Sequence, residues 1–364
     1  MNSQPLGIIT TRLPPATCGI GTYSSLLQKH WPDSDRTAVF MVVEATTGEL
    51  TASERKIEFG GDGSRLAHAL ESLGGTDVIL HYAGRAYQRY GLPIWLPSVL
   101  RGWKKRFPSA RLMVIFHEVP GGGLPITSPH FWLGKVEERL VRKLTQIGDV
   151  LVTNTAWHRE RLRNLSGRED VQVVPVGANI AAREESKVSR CRTEFALFGL
   201  PYGRLQVCRQ FESRLKEWHA QGLLTTLHVI GPSDEKFSPM AEEILTRCLP
   251  PAAIMRYGGL PSDEVATLLR RAQFALTNVT VATWSKSTAF MACAAYGCAV
   301  VMKEEHEPPV PLTYAIPAAD LSAISEMDLA SKSARLQEWY RAHAAWPVIA
   351  ARISACLTNE GIVG

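Results

Sequence analysis

The chain has 364 residues, 45% of them apolar and 21% charged. That composition excludes a disordered segment, a collagen-like repeat and a small disulfide scaffold, and at roughly 150 residues per domain the length suggests about two domains. Forty Lys and Arg against 35 Asp and Glu leave a net charge of only +5, with no basic run able to track a phosphate backbone, so nucleic acid is not an expected partner.

Seven cysteines (Cys18, Cys191, Cys208, Cys248, Cys293, Cys298 and Cys356) are scattered and form no CxxC pair. They read as buried thiols in a reducing compartment, with neither a zinc site nor a disulfide framework. The N-terminal segment has no basic stretch ahead of a long apolar core, and no apolar run reaches 18 residues, so a cytoplasmic location is expected. Arg101, Lys104, Lys105 and Arg106 fall on an expected helix beside Trp95 and Trp103. The cluster reads either as a solvated helix face or as a point of peripheral membrane contact.

Along the chain, short apolar runs alternate with amphipathic stretches. Strands are expected over residues 6–11, 38–43, 77–82, 111–116, 150–154 and 171–176, and helices over 21–31, 63–73, 94–107, 134–147 and 157–165. Near-continuous apolar strands separated by helices imply a parallel sheet covered on both faces, a doubly wound α/β domain. A polar helix is expected over 183–197, ending at Gly199 and Pro201. The alternation restarts with strands over 205–209, 226–230, 253–257, 274–278 and 299–302 and helices over 240–248, 262–271 and 288–296. The expected organisation is a Rossmann-like domain over 1–182, a second over 183–335 and a helical segment over 336–364. In open α/β sheets ligands bind beyond the carboxyl ends of strands, so two such domains facing a central cleft direct attention to the loops that follow strands.

The first strand leads into PPATCGIGTY, where Gly19 and Gly21 would let a phosphate or sugar approach the N–H groups that open a helix. Tyr23 follows on that helix. The dinucleotide fingerprint GxGxxG fails at Ser24, and there is no Walker A sequence. His117 and Glu118 end a buried strand ahead of the glycine run at 121–123. The histidine suits hydrogen bonding to a substrate hydroxyl, proton donation, or a purely structural role. His81, Tyr82, Gly84 and Arg85 form a second strand-end group, whose arginine reads either as a holder of a phosphate or acceptor carboxylate or as one partner of a surface salt bridge. In the second half Arg209 is expected at a strand end and Lys216 on the next helix, two cations that could neutralise a departing diphosphate. Gly231 ends the strand in HVIGP, and Lys286, Ser287 and Thr288 open a helix as a diphosphate cradle or as ordinary capping residues. No GxSxG elbow and no HExxH motif occurs.

Taken together, PPATCGIGTYSSLL, VIFHE, DVLVTNTAWHRERL, VQVVPVGANI, LHVIGP, RYGGLPSDEVATLLRRAQFAL and the helix ending in GCAVV resemble the GT-B glycosyltransferases, specifically retaining family 4, over about residues 6 to 305. The resemblance implies transfer of a sugar from a nucleotide-sugar donor to a glycan or glycolipid acceptor, in synthesis of a cell-surface polysaccharide. It implies retention, with no metal and no further cofactor, the leaving diphosphate helping to deprotonate the acceptor. Gly19, Gly21, Gly231, Lys286, Ser287 and Thr288 would contact the donor; Tyr23, His81, Arg85 and Glu118 the acceptor; and His117, Arg209 and Lys216 the reacting groups. It also implies a terminal helical segment that returns to the first domain. The family's paired glutamates are replaced by Trp284 and Ala292, which places the chain in a divergent branch and raises the alternative of a noncatalytic subunit of a glycan assembly complex; a nucleotide-sugar epimerase of the same shape is a third reading, since fold alone does not fix function.

Overall fold

The computed structural model describes residues 5–16, 18–33, 36–44, 51, 54–88, 92–121, 129–180 and 188–358. Thr17, Gly122, Gly123 and residues 183–187 of the expected polar helix lie outside the described residues.

The first unit carries β1 (Leu6–Thr10), α1 (Gly19–Lys29), β2 (Ala38–Val42), β3 (Glu54–Glu58), α2 (Gly63–Leu73), β4 (Val78–Tyr82), α3 (Gly84–Tyr87), α4 (Leu96–Arg106), β5 (Leu112–Phe116), α5 (Pro129–Ile147), β6 (Val150–Thr153), α6 (Ala156–Ser166) and β7 (Gln172–Val173). The strands form one parallel sheet in the order β3-β2-β1-β4-β5-β6-β7. β1, β2, β4, β5 and β6 are buried along their whole length, as a sheet with helices on both faces requires. Their side chains join Leu66, Leu70, Leu100 and Trp103 of the helices in one core. Helix ends follow local chemistry: Asp62 caps α2 by accepting from the Ser64 and Arg65 N–H groups, and Thr155 caps α6, which ends at Gly167 in the left-handed region at φ 71°.

The second unit carries β8 (Cys191–Phe198), α7 (Pro201–Ala220), β9 (Thr226–Ile230), α8 (Ser238–Cys248), β10 (Ile254–Tyr257), α9 (Ser262–Arg271), β11 (Ala272–Leu276), α10 (Thr288–Ala295), β12 (Ala299–Met302), β13 (Ile316–Pro317) and α11 (Glu326–His343). Its parallel sheet runs β10-β9-β8-β11-β12-β13 around a separate core that includes Phe195, Phe211, Trp218 and Leu227. The chain divides between Pro175 and Val176, ahead of the expected 182/183, and again between Ala345 and Trp346, beyond the expected 335/336. The last helix, α12 (Trp346–Thr358), belongs to the first unit, where Trp346 meets Tyr23 of α1 edge to face at 5.0 Å and Arg352 donates to the Val173 carbonyl.

Three expectations fail locally. Residues 191–197, read as the end of a polar helix, lie in strand β8; its charges hide a buried run, because Glu194 is accommodated by His228 Nε2 at 2.8 Å and Arg271 at 2.6 Å. Residues 205–209, read as a strand, lie inside α7, whose buried Leu205, Cys208, Phe211, Leu215 and Trp218 follow helical spacing. Strand β3 was not expected, since ERKIE is a charged edge strand with little apolar signal.

Of the basic cluster on α4, Arg101, Lys105 and Arg106 are exposed and Lys104 is half-buried. Trp103 is buried, Lys104 pairs with Asp149 at 2.7 Å and Arg106 with Glu71 at 2.7 Å, which is the arrangement of an ordinary amphipathic helix. Among the described residues no helix is long and apolar enough to cross a membrane.

Candidate functional site

Both sheets have the doubly wound order in which the first strand sits centrally and the connections depart to either side. The switch point lies between β1 and β4 in the first unit and between β8 and β11 in the second, and the strand ends there leave a crevice for ligand.

At the first switch point β1 leads into α1. A Cβ on Gly21 would lie 1.5 Å from the Arg12 carbonyl oxygen, so glycine is imposed here by the chain's own backbone. Among the described residues a Cβ on Gly19 would meet nothing within 4 Å. Cys18 at the N-cap makes no side-chain cap, so the N–H groups of the opening turn of α1 at the exposed Gly19 are left without one. Ser24, in place of a third glycine, ties α1 to β1 through Thr10 Oγ1 at 2.7 Å.

Behind this turn is a buried polar stack. Asn154 Nδ2 donates to the Val174 carbonyl at 3.0 Å, which turns its Oδ1 toward His117 Nδ1 at 3.1 Å. His117 must donate from Nδ1 and accept at Nε2, and the donor to Nε2 is His81 Nδ1 at 3.0 Å. The two rings stack, and Tyr23 stands edge-on to both at 5.4 and 5.0 Å. Burial pushes His117 down to about 4 and, with His117 beside it, holds His81 well below the usual histidine range. Both rings are therefore neutral at pH 7. His117 is partly exposed, yet both its nitrogens bond inside the protein, so the geometry gives it a structural place and no ring nitrogen for a substrate hydroxyl. The unsatisfied groups lie deeper: among the described residues His81 Nε2 and the Tyr23 hydroxyl are buried with no hydrogen-bond partner, and burial raises the Tyr23 phenol above its ordinary range.

Arg85 is exposed on α3. Its charge acts on Glu137, whose carboxyl is nonetheless raised by burial and by Glu118. With the Glu137 carboxylate beside it, this arginine is a poor isolated anion site. Glu118 is exposed at the end of β5.

In the second unit Gly231 follows β9 at φ +128°, and a Cβ there would lie 2.3 Å from the Gly199 carbonyl oxygen. Glycine is thus required where the ends of β8 and β9 meet. The same junction holds Arg204, which sequence reasoning missed. Buried on the first turns of α7, it donates to the carbonyls of Gly199 at 2.9 Å, Ile230 at 3.2 Å and Pro232 at 2.6 Å. Only its place soon after a strand-ending glycine could have signalled it.

Arg209 and Lys216 lie on this one helix, not on a strand end and a following helix. Both are exposed. At 1.5 Å per residue Lys216 is about 18 Å beyond Arg204 along α7. Its charge acts on Cys248, the last residue of α8, which runs toward the amino edge of the sheet. Lys216 therefore sits away from Gly231. Lys286 is exposed on the turn before α10, with no carboxylate paired to it among the described residues. Ser287 is committed to capping: its hydroxyl accepts from the Phe290 N–H at 3.2 Å and its own N–H donates to the Trp284 carbonyl at 3.1 Å. The α10 donors that remain by helix geometry are the N–H groups of Thr288 and Ala289. Gly199 lies against this turn, since a Cβ there would be 3.7 Å from that of Ala289. Gly199, Gly231, Arg204, Thr288 and Lys286 thus cluster at the carboxyl edge. Ala292, where the resemblance would place a ribose-binding carboxylate, is fully buried. Among the described residues no group of three or more His, Cys, Asp or Glu is placed to hold a metal ion.

No protein-family profile and no curated protein sequence matches the chain. Solved structures do. WaaG, a glycosyltransferase involved in lipopolysaccharide biosynthesis, is 11% identical with a TM-score of 0.64, over 97% of this chain and 99% of that one. Sucrose-phosphate synthase from Thermosynechococcus elongatus is 11% identical with a TM-score of 0.67, over 98% and 99%. The α,α-trehalose 6-phosphate synthase from Burkholderia multivorans is 14% identical with a TM-score of 0.63, over 98% and 97%. With its two parallel, doubly wound sheets, the chain has the GT-B fold found in these glycosyltransferases.

Proposed function

We propose that the protein is a glycosyltransferase that moves a sugar from a nucleotide-sugar donor to a glycan or glycolipid acceptor in polysaccharide synthesis. The observation that carries this reading is the cluster at the second unit's switch point, where a lysine with no paired carboxylate among the described residues, a helix N-terminus and the required Gly231 meet on a fold shared with sugar-transferring enzymes. An anion is favoured at such a place by both the helix dipole and the ammonium group.

The donor diphosphate lies against the Thr288 and Ala289 N–H groups and Lys286, with the buried Arg204 adding positive potential from behind. Arg209 is the further candidate for contact with the leaving phosphate. The acceptor uses the open turn at Gly19 in the first unit, close to Tyr23 and His81. Transfer proceeds with retention; the departing diphosphate takes up the acceptor proton, with Lys286 offsetting the charge that develops. In this scheme no cofactor beyond the nucleotide-sugar is used, and the protein works in the cytoplasm or loosely attached to a membrane face.

Incubation with a panel of nucleotide-sugars and acceptor glycans, reading released nucleotide and product linkage, tests the reading. Transfer with retention supports it, and donor binding without turnover on any acceptor overturns the catalytic part. That second outcome is the noncatalytic reading, favoured by Ala292 and Trp284 where carboxylates would stand and by the internal bonding of His117.

A further inference from the structure

A shallow, open groove of about 800 Å³, its polar lining residues Asp62, Ser64 and Ser98 exposed, lies in the first unit at the carboxyl end of edge strand β3, outside the switch point just described. Its lining includes Asp62, Ser64, Trp95, Ser98 and Val99. Gly60 and Gly61, at φ +62° and +70°, turn the chain through the left-handed region on one side. Trp95 is half-buried and held edge-to-face by Phe59 at 6.2 Å, which fixes the indole. A Cβ on Gly63 would lie 3.0 Å from that indole, so glycine keeps a side chain off it.

The polar groups are equally fixed. Asp62 Oδ1 accepts from the Ser64 N–H at 2.7 Å, the Ser64 hydroxyl at 2.7 Å and the Arg65 N–H at 3.3 Å. All three bonds fall on one oxygen, leaving Oδ2 as an oriented acceptor. The Ser64 bonds also hold the carboxyl below its ordinary range, so it is ionised at neutral pH. The Arg65 guanidinium lies beside Gly60, 3.8 Å from a Cβ placed there, and supplies donors at the rim.

We propose that this groove is a subsite for a neutral hexopyranose unit of a glycan. A pyranose presents an apolar C–H face and a ring of hydroxyls. Trp95 and Val99 suit the face, while Asp62 Oδ2, the Ser64 and Ser98 hydroxyls and Arg65 suit the hydroxyls. The fixed carboxylate selects against phosphate, sulfate and uronate. Prior fixing of the indole and the carboxylate lowers the ordering cost of binding. Its place in the reaction rests on the transferase reading: β3 is two strands from β1, roughly 10 Å at ordinary strand spacing, so a glycan engaged at the turn after β1 could set a neighbouring sugar here.

The test is calorimetric titration of the full chain with neutral oligosaccharides of glucose, galactose, mannose and N-acetylglucosamine, with an oligouronide and inorganic phosphate as anionic comparisons. At least one neutral glycan binds. Asp62→Asn, which keeps the cap, and Trp95→Leu, which keeps apolar packing, each weaken it by about tenfold or more, as loss of a charge-assisted hydrogen bond or an aromatic platform should. Binding by no neutral glycan, equal binding by both variants, or preference for the anionic probes overturns the proposal. Nucleotide-sugar titration alongside separates the two claims. Donor binding without glycan binding removes the subsite alone, and groove-dependent glycan binding without donor binding removes the transferase reading alone.

Discussion

His81 Nδ1 on β4 and His117 Nε2, one residue past the neighbouring β5, lie 3.0 Å apart, and the proton between them belongs to His81. The assignment propagates from the Val174 carbonyl through Asn154, and it leaves His81 Nε2, not His117, as the buried free acceptor. Nitrogen-detected NMR of the imidazoles at pH 7 is expected to show both rings neutral and both protonated at Nδ1. Asn154→Leu removes the fixed end of the relay and is expected to mix the tautomers.

The same stack makes stability pH-dependent. In the unfolded chain a histidine titrates near its ordinary 6.5, whereas folded His117 titrates at about 4. Between these values the unfolded state holds more protons, so stability is full above about pH 6.5 and falls as pH drops toward 4, by roughly 1–3 kcal/mol. Denaturant melts across that window check this, with His117→Phe expected to flatten the slope.

Gly231 and Gly203 give opposite expectations for the same substitution. Gly231→Ala places a methyl 2.3 Å from the Gly199 carbonyl at φ +128° and should cost about 2–4 kcal/mol. Gly203 lies on α7 with nothing within 4 Å of a Cβ, and Gly203→Ala should stabilise by about 0.5–1 kcal/mol. Thermal melts of the two variants decide the matter.

A parallel contrast separates fold from ligand in the first unit. Gly21→Ala should fail to fold normally, because its methyl would overlap the Arg12 carbonyl at 1.5 Å. Gly19→Ala should leave thermal stability within about 0.5 kcal/mol, as expected for a site open to solvent, while lowering acceptor turnover.

Glu194 is 5% exposed and bonded to both His228 and Arg271. Glu194→Leu leaves the buried His228 Nε2 without its partner while the half-exposed Arg271 turns to solvent, and is expected to destabilise the second unit by about 1–3 kcal/mol. Urea unfolding measures the loss.

Strand–helix alternation was legible wherever strands were wholly apolar, as in LGIIT or VILHY, because burial on both faces leaves little else in the pattern. It failed around β8 and α7. There a buried carboxylate, satisfied by His228 of β9 and Arg271 of α9, both distant in sequence, made a strand look polar, and the short run Leu205 to Arg209 concealed a helical stripe. Of the candidate site, the glycines and strand-end histidines could be read because strand ends are where a doubly wound sheet exposes backbone. The partners of His117 could not, since Asn154 and His81 reach it only through sheet register. Arg204 was passed over for Arg209 and Lys216, because a misplaced strand shifted the expected edge of the sheet.

The most direct test of the central claim is calorimetric titration of nucleotide-sugars into the wild-type chain, Lys286→Ala and Lys216→Ala. If the diphosphate sits at the start of α10, Lys286→Ala weakens donor binding by about tenfold or more, as expected for a lost charge-assisted contact, and Lys216→Ala leaves it unchanged. Binding of no nucleotide-sugar, or equal affinity in wild type and Lys286→Ala, would contradict the account.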